Sequence, residues 1–238
     1  MIRLQGVSKR YLRKKALMDV DLQLPTGKII GVIGENGSGK STMLKLISGL
    51  VRPSSGTVTV DGEKVDRRTA RKVSYLSELD TYYPFFTVQE TIDYYASQFA
   101  DFDGETSKEI LSFMGVDPAQ KVKHLSKGYR SRVKILLVLS RKVPYILMDE
   151  PLSGLDPMVR DSIIKGLISF VDLEKQTVVL TTHEVNEMEP LLDMIVAVRD
   201  GEVIKVADVE ELRRTENKSI AEWMNDVYAG NTCRSLPS

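Results

Sequence analysis

The spacing of apolar and polar residues along the chain predicts strands that alternate with helices. Val20, Leu22 and Leu24 alternate with polar residues, as in a strand with one buried face. Continuous apolar runs at Ile29–Ile33 and Tyr145–Met148 are typical of strands buried on both faces in a parallel sheet. The same criteria predict further strands at residues 57–62, 72–75, 177–180 and 194–198.

Helical periodicity fills most of the intervening sequence. Residues 86–142 form a largely helical segment that ends in a basic helix at 131–141, before Pro144. Further helices are predicted at 43–47, 158–172 and 184–192, with a short amphipathic helix around Trp223, a residue expected to pack. We therefore predict an α/β domain over residues 1–230. Its N-terminal part is expected to be antiparallel β, and its main sheet is expected to be mostly parallel. The α/β core covers about 1–85 and 143–230, and the inserted helical subdomain covers about 86–142. Residues 231–238 are predicted to form a disordered tail.

The composition gives no support to binding of nucleic acid or of an anionic membrane. The 238 residues include 33 basic and 33 acidic side chains, so no overall positive charge favours nucleic acid or an anionic membrane. The single cysteine, Cys233, cannot form an internal disulfide, which fits a reducing compartment. The first residues lack a signal-peptide pattern and no apolar run is long enough to cross a bilayer. We expect a cytosolic chain that docks on a membrane partner.

Residues 34–42 carry the strongest chemical signal. They follow the apolar run Ile29–Ile33, precede an amphipathic helix and match G-x-x-x-x-G-K-[ST] from Gly34 to Ser41. Glycines let successive backbone N–H groups converge on a phosphate, Lys40 reaches the β- and γ-phosphates, and the Ser41 hydroxyl ligates Mg²⁺. The residues predicted to bind the nucleotide here are Gly34, Asn36, Gly37, Ser38, Gly39, Lys40, Ser41 and Thr42.

Two adjacent carboxylates follow the strand Tyr145–Met148. Asp149 lies at the carboxyl end of that strand, where an α/β sheet places ligand-binding groups, and is a candidate Mg²⁺ ligand. Glu150 is placed to polarise a water molecule as a general base. Together with the loop, these residues predict a P-loop NTPase core that binds a nucleotide with Mg²⁺. The loop alone leaves kinases, GTPases, helicases and transport ATPases all open.

Downstream residues resemble the ATP-binding subunits of ABC transporters over nearly the whole chain. Residues 125–129, Leu-Ser-Lys-Gly-Tyr, are similar to the family signature, and residues 153–156, Ser-Gly-Leu-Asp, to its D-loop. The resemblance implies that Ser126 and Gly128 face the γ-phosphate of ATP bound to a second subunit. It also implies that His183 is the switch histidine that contacts the γ-phosphate of its own site.

The resemblance changes the interpretation of Tyr11. On local sequence alone, an ordinary surface tyrosine in a charged turn is the favoured interpretation, with stacking on a purine ring as the alternative. Tyr11 falls where the family places its adenine-stacking aromatic residue, so the resemblance implies that role.

The chain departs from the family pattern at three positions. Lys127 and Tyr129 replace the commoner Gly and Gln of the signature. Residues 75–78, Tyr-Leu-Ser-Glu, align with the Q-loop, so Glu78 stands where the family has a Mg²⁺-binding Gln. A carboxylate ligates Mg²⁺ as well, but its added charge near the triphosphate is expected to slow or retune hydrolysis. Gln89 is the alternative candidate for the Q-loop glutamine.

The resemblance implies an ATP-hydrolysing subunit that powers a separate transmembrane permease through ATP-driven dimerisation. The second subunit is either another copy or a related cassette, and the complex sits on the inner face of the cell membrane. The short C-terminus lacks the large regulatory domain of some importers, which favours export. The aromatic residues at 82–86 are expected either to receive the permease or to pack in the core, and no nucleic-acid partner is expected.

Two other functions stay open. One is a soluble ABC-type ATPase that acts on nucleic acid or ribosomes, although such proteins usually carry two cassettes, a coiled coil or a basic arm. The other is a regulatory binding module with little turnover. The presence of Glu150 argues against this function, whereas Glu78 in the Q-loop position is compatible with it.

Overall fold

The computed structural model describes residues 1–78, 82–183, 185–216 and 218–232. Within these ranges the last helix continues to Thr232, two residues into the stretch predicted to be a disordered tail. Residues 233–238, including Cys233, lie outside the described residues.

The strands form two sheets. In the described part of the chain the strands are β1 (Ile2–Tyr11), β2 (Lys14–Leu24), β3 (Ile29–Ile33), β4 (Ser55–Val60), β5 (Glu63–Lys64), β6 (Val73–Leu76), β7 (Tyr145–Met148), β8 (Thr177–Thr182), β9 (Met194–Arg199) and β10 (Glu202–Asp208). The smaller sheet has the order β2-β1-β4-β5 and is antiparallel. The larger has the order β10-β9-β3-β8-β7-β6 and is parallel except for β10, which pairs antiparallel with β9. This confirms the predicted α/β class with an antiparallel N-terminal part.

Helices cover the larger sheet. The α-helices in the described residues are α1 (Lys40–Ile47), α2 (Val88–Gln98), α3 (Gly104–Met114), α4 (Lys127–Leu139), α5 (Pro157–Phe170), α6 (Val185–Met188), α7 (Val209–Glu211) and α8 (Ile220–Thr232). None of these helices is both long and apolar enough to span a bilayer.

The larger sheet is buried on both faces, and β3 shows how. Ile30 and Val32 point into a core shared with α1 and the smaller sheet. Ile29 and Ile33 point into a second core shared with α2 to α5 and α8. Because successive strand residues point to opposite faces, a continuous apolar run is required here. The phosphate-binding loop therefore follows a strand at the centre of the larger sheet.

Several boundaries differ from the predictions. β1 and β10 were not predicted, because the apolar residues of β1 are few and those of β10 do not alternate regularly with polar ones. α4 begins at Lys127 instead of 131, since the Ser126 side chain caps its first turn by accepting from Tyr129 N. The helix predicted at 184–192 is the short α6 followed by a 3₁₀ turn, Glu189–Leu191, which contains Pro190; Glu184 lies outside the described residues. Trp223 is buried in the core, which confirms its packing role.

Candidate active site

The phosphate-binding loop connects β3 directly to α1. Gly39 is the N-cap of α1 with φ 113°, a conformation that a side chain rarely adopts, and a Cβ atom there would lie 2.5 Å from the Ala16 carbonyl oxygen. No side chain caps this helix in the described part of the chain. The first backbone N–H groups of α1 are therefore left to an anionic ligand at the positive end of the helix.

The turn between β9 and β10 supports both ends of the loop. A Cβ atom on Gly34 would lie 2.2 Å from the Val198 carbonyl oxygen, so only glycine fits against this strand. Gly201 N donates to the Ser38 carbonyl oxygen at 2.9 Å. The Ser38 hydroxyl is buried and has no hydrogen-bond partner among the described residues. A buried hydroxyl without a partner is costly, so its place in the loop suits a phosphate oxygen as acceptor.

Lys40 occupies a nearly buried position beneath the loop. Its ammonium donates to the carbonyl oxygens of Gly34 at 2.7 Å and Glu35 at 3.2 Å. It also lies 3.3 Å from Glu150 Oε1, and the two side chains are 5% and 10% exposed. A buried charge is stable only when it is paired. Lys40 and Glu150 pair with each other at the carboxyl end of the parallel sheet.

Asp149 is the centre of a hydrogen-bond network at the carboxyl end of β7. Its Oδ1 accepts from Ser41 Oγ and from Thr181 Oγ1, each at 2.8 Å, and its Oδ2 accepts from the Tyr75 hydroxyl at 3.3 Å. Burial and the negative charge of Asp149 raise the pKa of Tyr75, so its hydroxyl remains a donor. Tyr75 and Thr181 were not predicted as site residues, although Tyr75 begins the Q-loop segment and Thr181 lies two residues before His183.

Glu150 adopts a left-handed backbone conformation, with φ 48°. Such a conformation is strained for a residue with a side chain and is common at active sites. Its N–H donates to Thr181 Oγ1 at 2.9 Å, and its Oε2 lies 2.8 Å from His183 Nδ1. The structure therefore brings the predicted base and the predicted switch histidine into direct contact, with Lys40 on the other carboxylate oxygen.

The remaining predicted nucleotide ligands on this chain lie in the loop, in the first turn of α1 and at the end of β1. Asn36 and Gly37 are exposed at its tip, and Thr42 is half-buried in the first turn of α1. Tyr11 lies at the end of β1 with 41% of its surface exposed, and the Lys9 ammonium lies 4.9 Å from its ring centre. An exposed aromatic ring next to a cation is suited to stacking on a purine ring.

Ser126 and Gly128 lie apart from the loop, at the start of α4. Ser126 is exposed, and a Cβ atom on Gly128 would lie 2.8 Å from Val159 Cγ2, so glycine allows α4 to approach α5. Within the described residues, no hydrogen bond or ion pair connects either residue to the phosphate-binding loop. Ser126 and Gly128 are thus not bonded to the phosphate-binding loop of their own chain, although Lys127 between them lines the cleft that Asp149 and Glu150 also line.

Glu78 lies on the rim of a cleft of about 340 Å³ that Asp149 and Glu150 also line. Its backbone carbonyl accepts from Lys134 Nζ at 2.8 Å, and its carboxylate contributes to the raised pKa of Tyr75, after burial and Asp149. The alternative residue, Gln89, is exposed on α2 and donates to Asp93 at 2.8 Å. The geometry favours Glu78 as the residue in the Q-loop position.

These residues fit a magnesium ion carried by a nucleotide. Ser41 Oγ and Asp149 Oδ1 are hard oxygen donors 2.8 Å apart, and Mg²⁺ commonly takes one or two such protein ligands in addition to phosphate oxygens. Among the described residues, no group of three or more His, Cys, Asp or Glu side chains is arranged to hold a metal ion.

An aromatic surface lies at the start of the helical segment. The rings of Tyr83, Phe85, Phe86 and Tyr94 contact one another with centroid separations of 5.0 to 6.2 Å. Tyr83 and Phe85 are 47% and 63% exposed, whereas Tyr82 packs against the core. Core packing is therefore confirmed for Tyr82, whereas docking of a permease on the exposed rings stays a prediction.

Comparison with known proteins decides the family. The family described as "ABC transporter" matches residues 17–153. The chain belongs to the ABC transporter family. It is an ABC-type ATPase, since it combines the nucleotide-binding loop, the carboxylate pair and the cassette fold of that family.

Individual relatives and solved structures agree. The chain is 33% identical to the glycine betaine/carnitine/choline transport ATP-binding protein OpuCA of Bacillus subtilis over 94% of its own length, and it spans 62% of the length of that relative. It is 30% identical to the linearmycin resistance ATP-binding protein LnrL of B. subtilis, over 89% of this chain and 70% of LnrL. A solved dimeric structure of the ATP-binding cassette MJ0796, in a post-hydrolysis state bound to ADP and Pi, superposes with a TM-score of 0.78 and 27% identity, covering 88% of this chain and 99% of the cassette.

Proposed function

We propose that this ABC-type ATPase powers a separate transmembrane permease, and that two cassettes close head-to-tail over two ATP molecules to do so. The observation that carries the proposal is the separation of the site into two parts. Lys40, Ser41, Asp149 and Glu150 are assembled on one chain, while no hydrogen bond or ion pair among the described residues joins Ser126 or Gly128 to them. A second cassette would supply the missing side, as the dimeric state of the MJ0796 cassette suggests.

The site residues divide the work of hydrolysis in this proposal. The loop and Lys40 bind the phosphates, and Ser41 and Asp149 hold Mg²⁺, which neutralises charge on the phosphate oxygens. Glu150 accepts the proton of the attacking water, with His183 holding its carboxylate through the 2.8 Å contact. Tyr11 stacks on the adenine, and Glu78 takes part in metal binding.

The permease is proposed to dock on the exposed aromatic surface of Tyr83, Phe85, Phe86 and Tyr94. Exposed aromatic clusters are typical of protein interfaces, and this one lies between the Glu78 segment and α2, at the boundary of the helical segment. Docking there would place the complex on the inner face of the cell membrane. The relative LnrL, named for resistance to linearmycin, is compatible with outward transport, so export is the direction that we propose.

Measurement of ATPase activity with and without the co-purified membrane partner tests the proposal. Turnover should rise in the presence of the permease, and a Phe85→Ser variant should lose that stimulation while the isolated chain keeps its basal rate. Stimulation by nucleic acid or ribosomes, with none by a membrane protein, would favour the soluble ATPase alternative.

A further inference from the structure

The C-terminal helix α8 is firmly docked beside the nucleotide site. Its first turn is closed by a capping box, in which Ser219 N donates to Glu222 Oε2 at 2.8 Å and Glu222 N donates to Ser219 Oγ at 3.2 Å. One turn later Trp223 is buried in the core, with 1% of its surface exposed. The position of the following residues relative to the large sheet is therefore fixed.

Tyr228 connects this helix to the end of β9. Its hydroxyl donates to the Val198 carbonyl oxygen at 3.2 Å, and its own carbonyl oxygen accepts from Arg199 Nη1 at 3.2 Å. The Arg199 guanidinium also lies 5.8 Å from the centre of the Tyr228 ring. Two successive residues of β9 are thus held by one side chain and one carbonyl group of α8.

The Val198 carbonyl is also the atom against which the phosphate-binding loop packs. A Cβ atom on Gly34 would lie 2.2 Å from it, and three residues further along the chain Gly201 N donates to Ser38 at the other end of the loop. A displacement of Val198 would therefore displace Gly34. Since phosphate binding depends on several backbone N–H groups converging on one anion, small displacements of this loop lower affinity.

Electrostatics are consistent with this connection. Burial raises the pKa of Tyr228, and the carboxylate of Glu35, within the phosphate-binding loop, raises it further. The phenol consequently remains protonated and able to donate throughout the physiological range of pH, and it lies close enough to the loop to experience the charge of Glu35.

We propose that Tyr228 is a positioning residue for ATP binding, which holds the Val198 carbonyl in the place where Gly34 packs on it. α8 then acts on the nucleotide site through one hydrogen bond and one backbone contact. This role concerns nucleotide binding by a single chain and does not depend on a permease or on dimerisation.

Calorimetric titration of the isolated chain with MgADP tests the proposal through a Tyr228→Phe variant. Loss of one neutral hydrogen bond that positions the loop should raise the Kd by about three- to tenfold. In steady-state assays the KM for ATP should rise by the same factor while kcat stays within twofold. The matched control is Ser74→Ala, which removes another hydroxyl-to-carbonyl bond of 3.2 Å, from Ser74 to Val138, and should leave the Kd within twofold.

A second variant tests the route. Gly34→Ala already disrupts the packing on Val198, so adding Tyr228→Phe to it should change the Kd by less than twofold. An unchanged Kd in the single Tyr228→Phe variant overturns the proposal, including the case in which only the melting temperature falls. If Tyr228→Phe raises the Kd by the same factor in the wild-type chain and in Gly34→Ala, the effect of Tyr228 does not pass through Val198 and Gly34.

Discussion

At the scale of single residues, Asp149 determines how the site is assembled. Its carboxylate accepts hydrogen bonds from Ser41 on α1, Thr181 on β8 and Tyr75 on β6, so it fixes three elements relative to the loop. Three hydroxyl donors hold this carboxylate in one orientation. Glu78 adds a further negative charge on the rim of the same cleft.

The charge of Glu78 should make hydrolysis respond to Mg²⁺ at lower concentrations than an amide would. We predict that Glu78→Gln raises the half-saturating Mg²⁺ concentration by about two- to fivefold, because one negative charge near the metal ligands contributes on the order of 1 kcal/mol in a partly solvated cleft. ATPase rates over a magnesium titration at fixed ATP measure this. Glu174→Gln, at an exposed loop position, is the control, and an identical titration for Glu78→Gln and wild type would show that Glu78 has no role at the metal.

At the scale of elements, α8 shows how a helix remote in sequence contributes to the domain. Trp223 is the largest fully buried side chain and packs in the same core as α5 and the parallel sheet. Removal of a buried indole leaves a cavity that the surrounding side chains fill only in part. The stability of the domain should therefore depend on this helix as strongly as on a strand of the sheet.

We predict that Trp223→Ala lowers the free energy of unfolding by about 3–5 kcal/mol, from the loss of buried apolar area and the cavity left behind. Urea unfolding followed by far-UV circular dichroism measures the change. Ile168→Ala on α5 is a suitable comparison, because Ile168 is 62% exposed and its loss should cost no more than about 0.5 kcal/mol. A Trp223→Ala protein as stable as Ile168→Ala would contradict a docked α8.

The elements also show what the sequence can and cannot reveal. β3 and β7 were predicted because strands buried on both faces need continuous apolar runs. β1 was missed because only Ile2, Leu4 and Val7 are buried among its ten residues, and its register is irregular. The link from Tyr228 to the loop was also missed, since it is a tertiary contact of α8 with the end of β9, and no local pattern encodes such a contact.

At the scale of the whole molecule, the proposed function assigns two separate parts of the chain to one reaction site. The face with Lys40 and Glu150 lies at the carboxyl ends of β3 and β7, whereas Ser126 begins α4 on the helical segment. Closure of two cassettes over ATP would bring the second part of one chain to the first part of the other. Association should then require bound ATP and should last until ATP is hydrolysed.

We predict that Glu150→Gln accumulates dimers with MgATP and remains monomeric with MgADP, because the phosphate and metal ligands remain while hydrolysis slows by at least about 100-fold without its base. Size-exclusion chromatography with light scattering measures the mass. A strictly monomeric Glu150→Gln protein at saturating MgATP would contradict the head-to-tail arrangement.

Adding Ser126→Ala to Glu150→Gln should reduce the dimer fraction strongly, while MgATP binding to the monomer stays within about twofold, because no hydrogen bond within the described ranges joins Ser126 to its own loop. Loss of an N-cap alone costs only about 1 kcal/mol of helix stability, and Thr87→Ala controls for it, since Thr87 caps α2 in the same way. Glu150→Gln with Thr87→Ala should dimerise like Glu150→Gln. If both double variants dimerise equally, Ser126 does not take part in the closed interface, and the signature residues act elsewhere.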